Sequence, residues 1–216
     1  CDAHAGTCDL SNPDSPSATV AMLRQRRNIV EWLSLADSPI LIERNGRTQV
    51  HVDDRTAHLP SYTTEAVRAA RNSPSGFWVA STKPEAAYQA VTGSVPAGEV
   101  QRAAVLSDGA SRLADRFGLV SWEKLLDLLD KEGPGELIRQ TRAAEAAETA
   151  EERMGRRGKQ YDDATAAFQL VMHEAAKAGV RQALDEATRA GVHAGLTPPD
   201  VTVNLAELDD IAETLA

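Results

Sequence analysis

Hydrophobic and polar positions change their period along this chain. Through residues 18–52 the apolar and β-branched residues come in short runs, which reads as strands. The runs are 18–23, 29–35, 40–43 and 48–52. In the second, Ile29, Glu31, Leu33 and Leu35 fall on one face and Val30, Trp32 and Ser34 on the other. A basic turn (24–28), Asp37-Ser38-Pro39 and Asn45-Gly46 separate the runs, and Asn-Gly is a strong hairpin signal. The pattern predicts an antiparallel meander with short connections.

Beyond residue 60 the spacing turns helical in places. Ala66, Val67, Ala69 and Ala70 predict a helix over 62–72. Residues 77–80 read as a short buried strand, and 84–91 as a helix with Pro84 in its first turn. Residues 103–106 form a strand that runs into Ser107-Asp108-Gly109. A helix over 110–117 follows. A second is capped by Ser121 and stopped at Gly133-Pro134-Gly135, and a third covers 136–152. The polar run 153–159 reads as an exposed loop and 164–170 as a last strand. An Ala-rich helix is expected over 172–192 and a short acidic helix over 206–215. The composition shifts near residue 171, which divides a main domain, 1–170, from a helical extension, 171–216. The fold class expected is α+β: an antiparallel β-sandwich flanked by helices.

The totals narrow the function. The chain has 216 residues and a formal charge of -9, which repels nucleic acid and anionic membrane and tolerates cations. Neither is expected as a partner. Aromatics are only 4%, so the core rests on Val, Leu, Ile and Ala. The two cysteines, Cys1 and Cys8, read as reduced thiols, with no zinc-ligand spacing. No run reaches transmembrane length, and a cytoplasmic location is expected.

The candidate chemistry lies in aspartates beside small residues at strand ends: Asp37 in Leu35-Ala36-Asp37-Ser38, Asp108 in Ser107-Asp108-Gly109, and Asp162 in Tyr161-Asp162-Asp163-Ala164-Thr165. Hard divalent cations take oxygen ligands, and a strand end holds a short carboxylate over the sheet edge. Gly109 reads as the residue that lets the backbone turn. Singly, each aspartate is an ordinary turn residue. The scattered histidines (51, 58, 173, 193) read as surface or turn residues. Ser38 and Ser107 lack a His and acid arrangement, and Trp32 and Trp78 read as core.

Taken in order, the three motifs resemble those of the metal-dependent Ser/Thr protein phosphatases of type 2C. The stretch from Ser17 to Asn45-Gly46 resembles that family's central hairpin, whose second strand ends in Gly-Asp-Ser-Arg. Val105 to Gly109 resembles its Asp-Gly metal motif, and Asp162-Asp163-Ala164-Thr165 its closing Asp-Asn-x-Thr. The likeness covers about residues 10–170 and is greatest to a bacterial branch. It implies Asp108 and Asp162 as ligands of one metal, Asp37 as the ligand of a weaker accessory one, and Mn²⁺ or Mg²⁺ as cofactor. It also implies a phosphoprotein substrate, hydrolysed at phosphoserine or phosphothreonine by metal-activated water.

The chain departs from the family pattern at Ala36, Pro39 and Asp163, where Gly, Arg and Asn are usual. The family's bridging Asp-Gly and phosphate-binding Arg belong upstream of Ser17. Asp2-Ala3-His4-Ala5-Gly6 lies too near that strand to supply them. An N-terminally incomplete phosphatase domain is therefore expected. The alternative is a catalytically inactive binding or scaffold module, and the C-terminal helices suggest a protein partner.

Overall fold

Two hairpins begin the architecture. β1 (Val20–Arg26) pairs with β2 (Ile29–Leu35), Val20 opposite Leu35 and Arg26 opposite Ile29. β3 (Ile40–Arg44) pairs with β4 (Arg47–His51) around Asn45 and Gly46, whose φ angles are 52° and 71°. That backbone matches the twist of the flanking strands and is why Asn-Gly sits there. The structure, a computed structural model, describes residues 15–154 and 159–171, together with positions 6, 7, 9, 12 and 182. The chain divides into two units, Cys1–Val171 and Met172–Ala216, and the elements here belong to the first. Apart from Gln182, the expected C-terminal helices lie outside the described residues, as do Cys1, Cys8, His173 and His193.

The hairpins do not join into one meander. β5 (Val91–Pro96) extends the first into a three-stranded sheet, β1-β2-β5. β6 (Val100–Leu106) and β7 (Ala166–Leu170) extend the second into β4-β3-β6-β7. All pairings are antiparallel. The chain crosses from one sheet to the other at residues 36–39. The reason lies in β3, where Ile40, Leu41 and Ile42 are all fully buried. A strand apolar on both faces must have a layer on each side. Ile40 and Ile42 pack with Val30, Val95 and Ala103 between the sheets. Leu41 packs outward with Ala104, Leu106, Leu113, Leu125 and Leu129.

Helices supply that outer layer. α1 is Thr64–Ala70, α2 Asp108–Asp115, α3 Trp122–Ala147 and α4 Ala150–Met154. Leu113 of α2 and Leu125, Leu126, Leu129 and Leu137 of α3 close the core over the β4-β3-β6-β7 sheet. The expected sandwich with helices is therefore the fold. The Ser121 hydroxyl caps α3 by accepting the Lys124 N–H at 3.3 Å. The stop expected at Gly133-Pro134-Gly135 is a kink: Gly133 has φ 83° and ψ 172°, and helix resumes beyond it. The helix expected over 84–91 is instead a 3-10 segment, Pro84–Gln89, followed by β5. Residues 77–79 are buried as expected, but residues 77–80 make only isolated bridges, Arg71 with Phe77 and Ala18 with Ala80.

Gly93 explains how β5 fits. A Cβ there would lie 2.2 Å from the Trp32 ring, so the absent side chain makes room for the indole. Trp32 in turn stacks on His51, with ring centroids 4.1 Å apart. His51 is thus not a plain surface residue. Its Nε2 and the Trp32 Nε1 are buried without hydrogen-bond partners among the described residues. Burial holds the imidazole pKa below its usual 6.5. The folded state therefore keeps His51 neutral, and its contribution is full above the unfolded pKa. It is lost as pH falls from about 6.5 through the lower folded value. The melting temperature is accordingly expected to drop between pH 7.5 and pH ~5, with less of a drop in His51→Phe. An identical pH slope in the two proteins counts against this assignment.

Candidate functional site

Strand direction decides which residues meet. β3 begins where β6 ends, with Ile40 opposite Val105, and β7 begins there too, with Ala166 opposite Leu106. The Leu106 N–H donates to the Pro39 carbonyl at 3.0 Å. One step further, the Ser107 N–H donates to the Thr165 carbonyl at 2.9 Å. The Ser107 hydroxyl donates to the Asp163 carbonyl (3.2 Å) and accepts from the Thr165 N–H (3.0 Å). Ser107 is thus a clasp between the end of β6 and the segment entering β7. Residues just before β3, just after β6 and just before β7 are Asp37, Asp108 and Asp162. All three line one open pocket of about 790 Å³.

Asp108 opens α2, two residues before the start of the helix expected over 110–117. Gly109 is inside the helix and has no left-handed backbone. Its role is close approach: a Cβ there would lie 2.1 Å from the Asp163 carbonyl oxygen. The Asp-Gly pair therefore lets the loop bearing Asp162 press against the first turn of α2. Burial pushes the Asp108 carboxyl up, and the charges of Asp37 and Asp162 push it further, to about 6. The Gly109 N–H and Arg112 oppose this only in part. The two neighbouring carboxylates are close enough to be felt.

The other two aspartates are held by neighbours. Asp37 Oδ2 accepts the Thr56 hydroxyl at 3.1 Å. Its turn depends on a buried carboxylate that sequence reading missed, Asp53. Ala36 stands at φ 65°, the left-handed region, and its N–H donates to Asp53 Oδ2 at 3.0 Å. Asp53 also takes two hydrogen bonds from the Arg55 guanidinium, at 2.7 and 2.6 Å. Ser34 spans the same turn, its hydroxyl donating to the Ser38 carbonyl at 3.0 Å. Burial alone would raise the Asp53 pKa, but the Arg55 and Ala36 hydrogen bonds outweigh it and hold it below the usual value.

Asp162 is engaged on both oxygens. Oδ2 accepts from Arg112 Nη2 at 2.8 Å. Oδ1 accepts the Asp163 N–H at 3.1 Å and faces the exposed Lys159 ammonium at 3.6 Å. Arg112 is 5% exposed. Its Nη1 donates to Glu145 Oε1 at 2.6 Å and to the Gln160 carbonyl at 3.1 Å. Glu145 is fully buried, and its other oxygen pairs with Arg142 at 2.6 Å. One turn on, Arg116 Nη2 pairs with buried Glu148 at 3.0 Å.

Four carboxylates (Asp37, Asp108, Asp115, Asp162) and four cations (Arg71, Arg112, Arg116, Lys159) line the pocket. Arg112 and Arg116 are also held from behind by Glu145 and Glu148, which pair in turn with Arg142 and Arg153. Asp115, itself raised by burial, accepts the Ser111 hydroxyl at 2.7 Å. Arg112, Asp115 and Arg116 were not anticipated. Their signal was present: Asp108, Arg112, Asp115 and Arg116 follow one face of a helix that begins at Asp108.

The donors suit a hard divalent cation in kind: oxygen-only, carboxylate, partly buried and mutually repelling. They do not close on a point. Among the described residues no group of three or more His, Cys, Asp or Glu side chains is arranged to hold a metal. One oxygen of Asp37 accepts from Thr56, and Asp162 is taken by Arg112.

No protein-family model matches the chain, and no curated protein is significantly similar in sequence. Several solved structures match part of the chain. One is the Mycobacterium tuberculosis serine/threonine phosphatase PstP/Ppp, with 17% identity over 73% of this chain and 61% of that one, at a TM-score of 0.43. A bacterial serine phosphatase gives 14% identity over 73% and 59%, at 0.44. A PstP catalytic domain in complex with two manganese ions gives 17% over 72% and 60%, at 0.39. The chain spans about three fifths of each of these proteins. No helix among the described residues is long and apolar enough to cross a membrane.

Two stability measurements check the supports. Gly109→Ala forces a methyl into backbone and is expected to cost about 1–3 kcal/mol in denaturant unfolding. A neutral outcome would mean that the 162–163 loop does not rest on α2. Asp53→Ala is expected to cost about 1–3 kcal/mol, because it strips the Ala36 N–H and Arg55 of their acceptor. Since the folded Asp53 pKa is depressed, its contribution is full above the unfolded value of 3.8 and is lost as pH falls below that. The variant should therefore differ least from the native protein at the lowest pH.

Proposed function

We propose that the chain is the carboxylate-bearing part of a metal-dependent phosphoprotein phosphatase. The observation that carries this reading is the convergence of Asp37, Asp108 and Asp162, from three separate stretches, on one pocket, where Asp37 and Asp162 are near enough to Asp108 to raise its carboxyl pKa. The order of their motifs supports it. Asp108 and Asp37 hold Mn²⁺ or Mg²⁺, and Asp162 completes the carboxylate set. What a divalent cation supplies in such a place is Lewis acidity toward water and phosphoryl oxygen. Leu59, Val67, Phe77 and Val79 form an apolar wall on the pocket. That wall limits competing water and lets a phosphorylated side chain lie against it. Lys159, exposed at the rim, meets the incoming phosphate dianion. Phosphoserine or phosphothreonine in a protein is the substrate class.

A second reading, a phosphatase-like binding module without catalysis, is favoured by one feature: Arg112 already neutralises Asp162. The two part on a direct assay. In the first, Mn²⁺ stimulates hydrolysis of a phosphothreonine peptide, and Asp108→Asn lowers kcat/KM at least about 100-fold. Hydrolysis that Mn²⁺ does not affect, or that survives Asp108→Asn, rejects the phosphatase reading.

A further inference from the structure

Arg112 combines features that a simple structural salt bridge does not. It is buried, it reaches the pocket, and it is gripped from two sides. Nη2 faces Asp162 at 2.8 Å, while Nη1 faces Glu145 at 2.6 Å and the Gln160 carbonyl at 3.1 Å. A guanidinium is planar and offers several donors, which lets one side chain bind two carboxylates at once. Glu145 is fully buried behind it and keeps a second partner in Arg142. The fold therefore sets a fixed positive charge against one of the four pocket carboxylates.

We propose that Arg112 is a built-in counter-ion that withholds Asp162 from divalent cations. As folded, the pocket then recruits metal through Asp37 and Asp108, and Asp162 joins only when Arg112 swings away from its Oδ2. Arg112 is a positioning residue here, acting through Asp162. The inference rests on the metal-dependent reading above and deepens it by naming what sets cation affinity and stoichiometry. The geometry points the same way: Arg112 is buried, and its Nη2 and Nη1 are held at once by Asp162, Glu145 and the Gln160 carbonyl.

The test is Mn²⁺ titration of the full chain by calorimetry, with bound Mn²⁺ counted by electron paramagnetic resonance. Asp108→Asn is expected to weaken binding at least about tenfold, and Asp162→Asn by no more than about threefold, because its charge is already balanced. In Arg112→Gln, whose Glu145 remains paired with Arg142, affinity or the number of bound ions rises. There Asp162→Asn now costs at least about tenfold, a coupling that mere loss of packing does not produce. Circular dichroism confirms that each variant is folded. If Arg112→Gln does not fold, comparing Asp162→Asn with Asp108→Asn in the native background still decides. An Asp162→Asn loss as large as that of Asp108→Asn overturns the counter-ion role alone. If the native chain binds no Mn²⁺, the metal reading fails and the inference fails with it.

Discussion

Everything at the pocket depends on how β6 hands over to α2 beside the start of β7. The antiparallel register sets Leu106 against Ala166, and Ser107 then spends both its N–H and its hydroxyl on the 163–165 backbone. Ser107 therefore does not use its side chain as the N-cap of α2. The helix still begins there because the strand ends there. Asp108 is pinned two residues past the end of β6, and Asp162 four residues before the start of β7. Gly109 removes the last obstacle between them. Without that local clasp the two aspartates would belong to separate loops with no reason to share a field.

A second layer of constraint comes from α3. Its first half lies over the sheet through Leu125, Leu126 and Leu129. There Asp127 and Asp130 meet Arg102 of β6, which also pairs with Glu43 of β3. The kink at Gly133 redirects the second half. That half carries Glu145 and approaches α2 from behind. One helix thus fastens two strands and also backs the pocket, and the non-helical geometry at Gly133 is what allows both.

The legible and illegible parts of this chain differ in kind. Strands with both faces apolar, such as residues 40–42, and the Asn45-Gly46 turn follow from composition alone. So do the Ser121 cap and the sandwich class. β5 escaped because Gly93 interrupts its β-branched pattern, and Gly93 is there for the Trp32 ring, a partner 61 positions away in sequence. The switch of sheets after β2 was also invisible, since its cause is burial on two sides of β3. Asp37, Asp108 and Asp162 stood out as residues beside small neighbours at strand ends. Their electrostatic partners did not: Asp53 reads as one of two adjacent loop acids, and Arg112 as a polar position on a short helix. What those two do is fixed by contacts over 17 to 50 positions in sequence, Asp53 to Ala36 and Arg112 to Asp162.

Glu145 touches no pocket space and has no exposed surface. Yet it holds the other side of the guanidinium that faces Asp162. The electrical balance of the cavity is therefore written partly on a helix that never reaches it. Variation confined to the visible wall samples only half of what tunes this site. A neutral or basic replacement at Glu145 would reshape the cavity's potential without changing the identity of any residue in its lining.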